Sequence, residues 1–218
     1  MIVNRVLFVS AALAVLTLYA AAPPRQTWHF DSIVKIGGHA TTVLGHPHVI
    51  DTPKGKAVEF NGVDDALFLD VHPLAGAETW TWEVIFRPDA GGAPEQRFFH
   101  LAEDGTDNRM LFEIRLTGNL WCLDSFAKSG EASKALMDRA KLHPAGAWYH
   151  AAAVYDGHEF RNYVDGVLEG TSELKLEPQK PGKTSIGVRI NKVNYFKGAV
   201  REARMTPRAL AVSEFLKK

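Results

Sequence analysis

Apolar side chains recur at every second position in several separate stretches of the chain. Between residues 80 and 87, one set of alternate positions is apolar throughout, namely Trp80, Trp82, Val84 and Phe86. The same period of two occurs in residues 111–116, 149–155 and 185–190. Because successive side chains of a strand point to opposite faces, this period predicts β-strands with one buried face.

Turn-forming residue pairs separate these stretches, and they include Asn61-Gly62, Asp156-Gly157, Asp165-Gly166 and Pro181-Gly182. Many short strands divided by such turns are typical of an antiparallel sandwich. We therefore predict an all-β fold. The last segment is the exception, because Thr206-Pro207 followed by apolar residues at helical spacing predicts a short C-terminal helix.

The first 22 residues have the order of a secretory signal peptide. A short positive segment precedes an uncharged apolar run over residues 6–20, and Ala20-Ala21-Ala22 offers an A-x-A cleavage site. We therefore expect a signal peptide over 1–22 and a single domain over 23–218 that is secreted or periplasmic. The alternative is an uncleaved membrane anchor, for which the run is at the short limit.

Composition and charge exclude several classes of protein. The 25 basic and 25 acidic residues balance, which argues against a nucleic-acid partner and against electrostatic membrane binding by the mature chain. A hydrophobic content of 46% excludes a disordered chain. Cys122 is the only cysteine, so no intramolecular disulfide forms, and we expect a monomer whose thiol is buried.

Six short motifs resemble laminin G-like domains of the concanavalin A-like lectin/glucanase superfamily, in the form common in secreted bacterial proteins. They occur in the same order as in that family, in residues 55–65, 80–88, 148–157, 162–166, 196–204 and 209–215. Arg201 departs from the pattern, since the family usually has an aspartate there. The resemblance implies a two-sheet antiparallel jelly-roll sandwich with a concave outer face. It does not fix the function, because the fold carries lectins, adhesion modules, glycosidases and lyases.

Aromatic side chains that stack on sugar rings are one kind of candidate site residue. Trp80 and Trp82 share the apolar face of their strand and are expected in the core. Trp121 follows the Gly118-Asn119 turn, and we predict that it is the tryptophan most exposed for ligand binding. The alternative for each tryptophan is a place in the core.

Charged side chains at the polar positions of the strands are the second kind of candidate. The alternation predicts that Glu83, Arg87, Glu113 and Arg115 point away from the core. If their strands share a sheet, with the strand of His100 between them, these five residues form one ligand-binding patch, with Arg97, Asp124, Arg161 and Arg189 on neighbouring segments. Such a patch could hold an acidic sugar and leave a Glu or His free for proton transfer. The alternative is a set of cross-strand ion pairs on a solvated sheet.

Asp64 and Asp65 are candidate metal ligands. Carboxylate oxygens suit Ca²⁺, and the resemblance implies a structural calcium ion in this part of the fold. The alternative is a turn whose aspartates bind their own backbone.

Two functions remain open at this point. The first is a secreted binding module that recognises a glycan or an extracellular protein through a sheet face or loops. The alternative is a glycoside hydrolase or polysaccharide lyase that acts on an extracellular or periplasmic glycan. The sequence lacks the E-x-D-x-x-E strand of the family's retaining glucanases, and with it the paired carboxylates of that mechanism.

Overall fold

A computed structural model describes residues 23–218, which are built almost wholly of β-strands. The strands are β1 (Gln26–His29), β2 (Lys35–Ile36), β3 (His39–Ala40), β4 (Thr42–Leu44), β5 (His48–Thr52), β6 (Gly55–Asn61), β7 (Ala66–Leu69), β8 (Trp80–Pro88), β9 (Glu95–Glu103), β10 (Arg109–Thr117), β11 (Leu120–Ser129), β12 (Ala132–Met137), β13 (His143–Pro144), β14 (Tyr149–Tyr155), β15 (Glu159–Val164), β16 (Val167–Glu173), β17 (Gly182–Ile186) and β18 (Lys197–Thr206). The predicted signal peptide lies outside the described residues. Within them, no helix has the length and apolar character needed to span a membrane.

The strands form two large antiparallel sheets that pack face to face. The first sheet has the order β16-β15-β14-β8-β18-β6-β5, and β1 also pairs with β18. The second sheet has the order β12-β11-β10-β9-β17-β7-β4, and β13 pairs with β11. The predicted all-β, two-sheet antiparallel sandwich is therefore confirmed.

The core lies between the inner faces of the two sheets and is rich in aromatic rings. Trp80, Trp82, Val84 and Phe86 all point into it, as the alternation of β8 predicts. The Trp82 ring centroid lies 4.2 Å from that of Phe112 on the opposite sheet, and Phe86 stacks on Phe98 at 4.1 Å. Contacts between large rings across the interface hold the two sheets together.

A β-bulge in β9 determines which of its side chains face outward. In the pairing with β10, Phe99 lies opposite Phe112 but Arg97 lies opposite Glu113, so Phe98 is an extra residue. Phe98 and Phe99 are both in the core. Because the bulge adds one residue, Arg97 and His100 share the outer face although they are three positions apart.

The C-terminal segment covers part of the outer face of the first sheet. Leu210 and Phe215 pack there against Ala152 and Val154, and Tyr163 flanks them. The predicted C-terminal helix is wrong, since the segment contains only a 3-10 turn at Val212–Glu214. The sheet binds the segment on both sides of this turn, with the N–H of Leu210 donating to Thr81 Oγ1 at 2.8 Å and the N–H of Leu216 donating to Glu83 Oε1 at 2.7 Å.

Candidate functional site

Charged side chains of the second sheet surround a shallow depression of about 190 Å³ on its outer face. We call it the arginine depression. It lies over β9 to β12 and beside the loop that follows β17. Its lining residues are Arg97, Arg109, Leu111, Glu113, Arg115, Asp124, Phe126, Ala135 and Arg189. Those on β9, β10 and β11 face outward because the alternate positions of these strands fill the core.

Two buried carboxylates form a network of ion pairs at one end of the depression. Arg115 Nη2 lies 2.6 Å from Asp124 Oδ2 and 3.1 Å from Glu113 Oε2. Arg97 Nε lies 2.9 Å from Glu113 Oε1. Glu95, at the edge, lies 3.2 Å from each of the two arginines. Glu113 and Arg115 thus form the cross-strand ion pairs that were the alternative to a ligand site.

Burial controls the protonation of this network. It raises the pKa of Glu113, and it also raises the pKa of Asp124, by more than the neighbouring arginines lower them. Both carboxylates are nearly inaccessible, at 3% exposure. They therefore hold Arg97 and Arg115 in place and leave little surface for direct contact with a ligand.

Arg109 and Arg189 occupy the opposite end of the depression and lack such partners. The guanidinium carbon of Arg109 lies 4.7 Å from the ring centroid of Phe126. Among residues 23–218 the only carboxylate within 4 Å of Arg109 is that of the exposed Asp107, at 3.9 Å, and Arg109 Nη1 also donates to the Asp107 backbone oxygen at 2.7 Å. Within residues 23–218, Arg189 has no carboxylate within 4 Å. Burial, and then repulsion by Arg109 and Arg97, lower the pKa of Arg189. This end of the depression therefore carries positive charge that the described side chains do not neutralise.

His100 lies on the same face, opposite Leu111 of β10, and is 3% exposed. The backbone N–H of Ile190 donates to its Nδ1 at 3.0 Å. Burial, and then Arg189 and Arg109, lower the pKa of His100 to about 3, so the ring is neutral and its proton is on Nε2. His100 therefore presents an N–H donor at Nε2, and its role in ligand binding or proton transfer stays a prediction.

The predicted patch of five residues is wrong, because its members lie on opposite sides of the sandwich. Glu83 and Arg87 belong to β8 in the first sheet, whereas His100, Glu113 and Arg115 belong to the second sheet. Both β8 and β10 alternate as expected, but they face each other across the core. Alternation fixes which side of a strand is buried and leaves open which sheet the strand joins.

Glu83 points away from the core as predicted, but the C-terminal segment buries it completely. Its Oε1 accepts hydrogen bonds from His150 Nε2 at 3.0 Å and from the N–H of Leu216 at 2.7 Å, and its Oε2 accepts one from Arg204 Nε at 2.6 Å. Burial favours the protonated acid, but these hydrogen bonds outweigh it and lower the pKa of Glu83. Glu83 is thus an anchor for the C-terminal segment.

Arg87 is also committed to intramolecular ion pairs. Its guanidinium lies 2.8 Å from Asp89 and 2.5 Å from Glu59, both on the first-sheet side. The Trp148 ring lies beside it, with the centroid 5.6 Å from the guanidinium carbon. No part of Arg87 contributes to the arginine depression.

The prediction that Trp121 is exposed for sugar stacking is wrong. Its side chain is fully buried, and its ring packs against Phe86 at 5.3 Å and Tyr149 at 5.0 Å. Trp121 pairs with Leu116 at an inward position of β11. Its neighbour Cys122 lies opposite Arg115 on the outer side and is buried, as expected.

Asp64 and Asp65 lie in the turn between β6 and β7. The Asp65 carboxylate accepts hydrogen bonds from the N–H groups of His46 at 2.6 Å and Asn61 at 2.9 Å, and Asp64 accepts one from the Asn61 amide at 2.7 Å. Across residues 23–218, no group of three His, Cys, Asp or Glu residues has the geometry to hold a metal ion. These contacts favour the turn alternative, and calcium binding by the two aspartates stays a prediction.

Asp65→Ala is expected to lower the free energy of unfolding by roughly 1–3 kcal/mol, because it leaves two N–H groups without an acceptor. The exposed Asp64→Ala serves as the control and is expected to change it by less than about 0.5 kcal/mol. Chemical denaturation with and without EDTA measures both effects. A destabilisation of wild type by EDTA would assign the loss at Asp65 to a bound calcium ion instead.

Four lining residues of the depression were not among the predicted site residues, namely Arg109, Leu111, Phe126 and Ala135. The signal for Phe126 was present, since Asp124, Phe126 and Lys128 alternate with the inward positions of β11. A half-buried aromatic ring at an outward position differs from the surrounding core aromatics and marks a surface suited to ligands.

A family model described as the concanavalin A-like lectin/glucanases superfamily, for laminin G domains, matches residues 61–214. The chain belongs to this laminin G-like family. No curated protein sequence matches it significantly.

Solved structures of similar fold include a domain of an extracellular enzyme and binding domains of toxins. Domain 4 of AbnA, a GH43 extracellular arabinanase from Geobacillus stearothermophilus solved in complex with arabinotriose, is 17% identical with a TM-score of 0.62, over 89% of this chain and 97% of that domain. The binding domain of Paraclostridial Mosquitocidal Protein 1 is 12% identical with a TM-score of 0.60, over 87% of this chain. The binding domain of botulinum neurotoxin serotype G is 11% identical with a TM-score of 0.62, also over 87% of this chain. The chain spans about half the length of the two toxin domains.

Proposed function

We propose that the protein is a carbohydrate-binding module whose binding surface is the arginine depression of the second sheet. The observation that carries the proposal is the half-buried Phe126 ring, which lines the depression together with Arg109 and Arg189 and carries the Arg109 guanidinium on its face. Sugar recognition combines apolar surface with nearby polar groups that bind hydroxyls, and here the uncovered part of the Phe126 ring supplies the first and the arginines supply the second.

Two further points support a glycan over an extracellular protein as the partner. The AbnA domain, which this chain matches along nearly its whole length, was solved with an arabinose trisaccharide. The volume of about 190 Å³ suits one sugar residue better than it suits a protein surface. The expected export signal fits a secreted or periplasmic module, where such glycans occur.

The proposal is tested by affinity electrophoresis against arabinan, xylan, β-glucan, polygalacturonate, alginate and carrageenan, followed by calorimetry. Phe126→Ala is expected to weaken binding of the retained polysaccharide by roughly tenfold or more, as for an aromatic contact at a binding hot spot. Arg161→Ala is the control, because Arg161 lies on the first sheet and pairs with Asp156 and Glu159.

The control variant is expected to bind as wild type does. Equal affinity of Phe126→Ala and wild type, or retention of the protein by none of the six polysaccharides, would contradict a carbohydrate site at the arginine depression. Circular dichroism melts of both variants establish that a loss of binding is not a loss of folding.

A glycoside hydrolase is the second candidate, and the carboxylates of the depression favour it. Glu113 and Asp124 both bind Arg115 Nη2, so their carboxyl groups are close together. Their separation is comparable with the roughly 5–5.5 Å between the two catalytic carboxyl groups of a retaining glycosidase. Their ion pairs and near-complete burial keep them from a scissile bond. We therefore expect no products when a retained polysaccharide is incubated with the protein and examined by mass spectrometry.

A further inference from the structure

The arginine depression has hydrogen-bond donors and positive charge in excess of its acceptors. Four arginines but only two carboxylates line it, and Arg97 and Arg115 use those two. Arg109 and Arg189 are left close enough for each to oppose the charge of the other. Within residues 23–218, Arg109 Nε is buried and has no hydrogen-bond acceptor.

A second, independent observation comes from His100. Its Nδ1 is occupied by the Ile190 N–H, which fixes the proton on Nε2. This Nε2 is buried, and no acceptor for it exists among residues 23–218. Several buried N–H groups of residues 23–218 lack an acceptor in the same way, and for His100 a ligand oxygen or a water can complete the bond.

Two contacts fix the positions of Arg109 and Arg189 in the depression. The Phe126 ring supports the Arg109 guanidinium. The loop that carries Arg189 is tied to the sheet by the hydrogen bond from Ile190 to His100. Donors held in this way lose little side-chain entropy when an anion binds them.

We propose that Arg109 and Arg189 form a subsite for the anionic group of an acidic sugar, either a uronate carboxylate or a sulfate ester. The inference rests on the proposed carbohydrate-binding function and names the class of sugar. An anion at this position relieves the repulsion between the two guanidinium groups and accepts the unpaired donors. The sugar ring then lies beside Phe126, whose ring face carries the Arg109 guanidinium.

Calorimetry with three probes tests the subsite. The probes are a trisaccharide of galacturonic acid, a sulfated carrageenan oligosaccharide and the neutral arabinotriose. Wild type is expected to bind at least one acidic probe roughly tenfold or more tightly than arabinotriose, with an affinity that falls as salt is added. The two acidic probes separate a carboxylate ligand from a sulfate ligand.

Arg189→Ala is expected to remove most of the preference for the acidic probe, by roughly tenfold or more, the loss expected for a charge-assisted hydrogen bond. Arg189→Lys keeps the charge but loses the planar fork, so its affinity should lie between those of wild type and Arg189→Ala. Arg161→Ala, an arginine of the first sheet, should bind as wild type does. Arg189 lies in a surface loop, and thermal melts check the folding of each variant.

The outcomes separate this inference from the proposed function. Equal affinity for arabinotriose and the acidic probes, unchanged in Arg189→Ala, overturns the anionic subsite and leaves a module for neutral carbohydrates. Binding of none of the three probes, together with no retention by the six polysaccharides, overturns both.

Discussion

Glu83→Ala is expected to lower the free energy of unfolding by roughly 3–5 kcal/mol, as for the loss of one member of a buried ion pair. The substitution leaves His150, Arg204 and the Leu216 N–H without their common acceptor. Leu216 lies in the C-terminal segment, so residues 210–216 should also be released from the first sheet when the protein loses this stability. Denaturant unfolding measures the stability, and hydrogen exchange of the Leu216 amide measures the release.

The effect of Glu83 should depend on pH in a defined direction. Its pKa is lowered in the folded protein, so its contribution is complete at neutral pH and is lost as the pH falls below the ordinary value of 4.5. The difference between wild type and Glu83→Ala should therefore shrink in acid. The exposed Glu173→Ala is the control, with a change within about 0.5 kcal/mol. Equal stability of the two alanine variants at pH 7 would contradict the anchoring role.

Trp82→Ala is the second substitution expected to have a large effect, with a loss of roughly 3–5 kcal/mol. The Trp82 side chain is 1% exposed, and its ring packs on Phe99 and Phe112 of the opposite sheet. Removal of the Trp82 side chain leaves a cavity between the two sheets. The surrounding rings cannot move in to fill this cavity without displacing the strands of both sheets.

Trp148→Ala makes the same deletion at the surface of the first sheet. The ring of Trp148 lies between the guanidinium groups of Arg87 and Arg201, 5.6 and 5.5 Å from its centroid. Such contacts are worth roughly 0.5–1 kcal/mol each, so the loss should be clearly smaller than for Trp82. Urea unfolding of both variants makes the comparison, and the reverse order would contradict the inward assignment of β8.

The sequence was sufficient to predict the fold class and the direction of individual side chains. Alternation in β8 placed Trp82 inward and Glu83 outward, and both predictions are confirmed. It could not predict what lies above an outward residue. The C-terminal segment buries Glu83, and the contact joins residues 133 positions apart in the chain.

The candidate site could be predicted only in part, because strand order and bulges are long-range properties. His100, Glu113 and Arg115 do share a face, but β8 joins the other sheet and takes Glu83 and Arg87 with it. The bulge at Phe98 shifts the alternation of β9, and Arg189 reaches the depression from a loop after β17. Trp121 resembled a surface residue because it follows a turn, yet its register with Leu116 turns it into the core.

The arginine depression is tested by a crystal structure of the protein soaked with whichever acidic probe binds more tightly, the galacturonic acid trisaccharide or the carrageenan oligosaccharide. We expect a sugar ring beside Phe126, with its carboxylate or sulfate oxygens within hydrogen-bond distance of Arg109 and Arg189. The same structure should show whether His100 Nε2 donates to the ligand. Sugar density on the first sheet or only in the loops at the ends of the sandwich, with the arginine depression empty, would contradict the account.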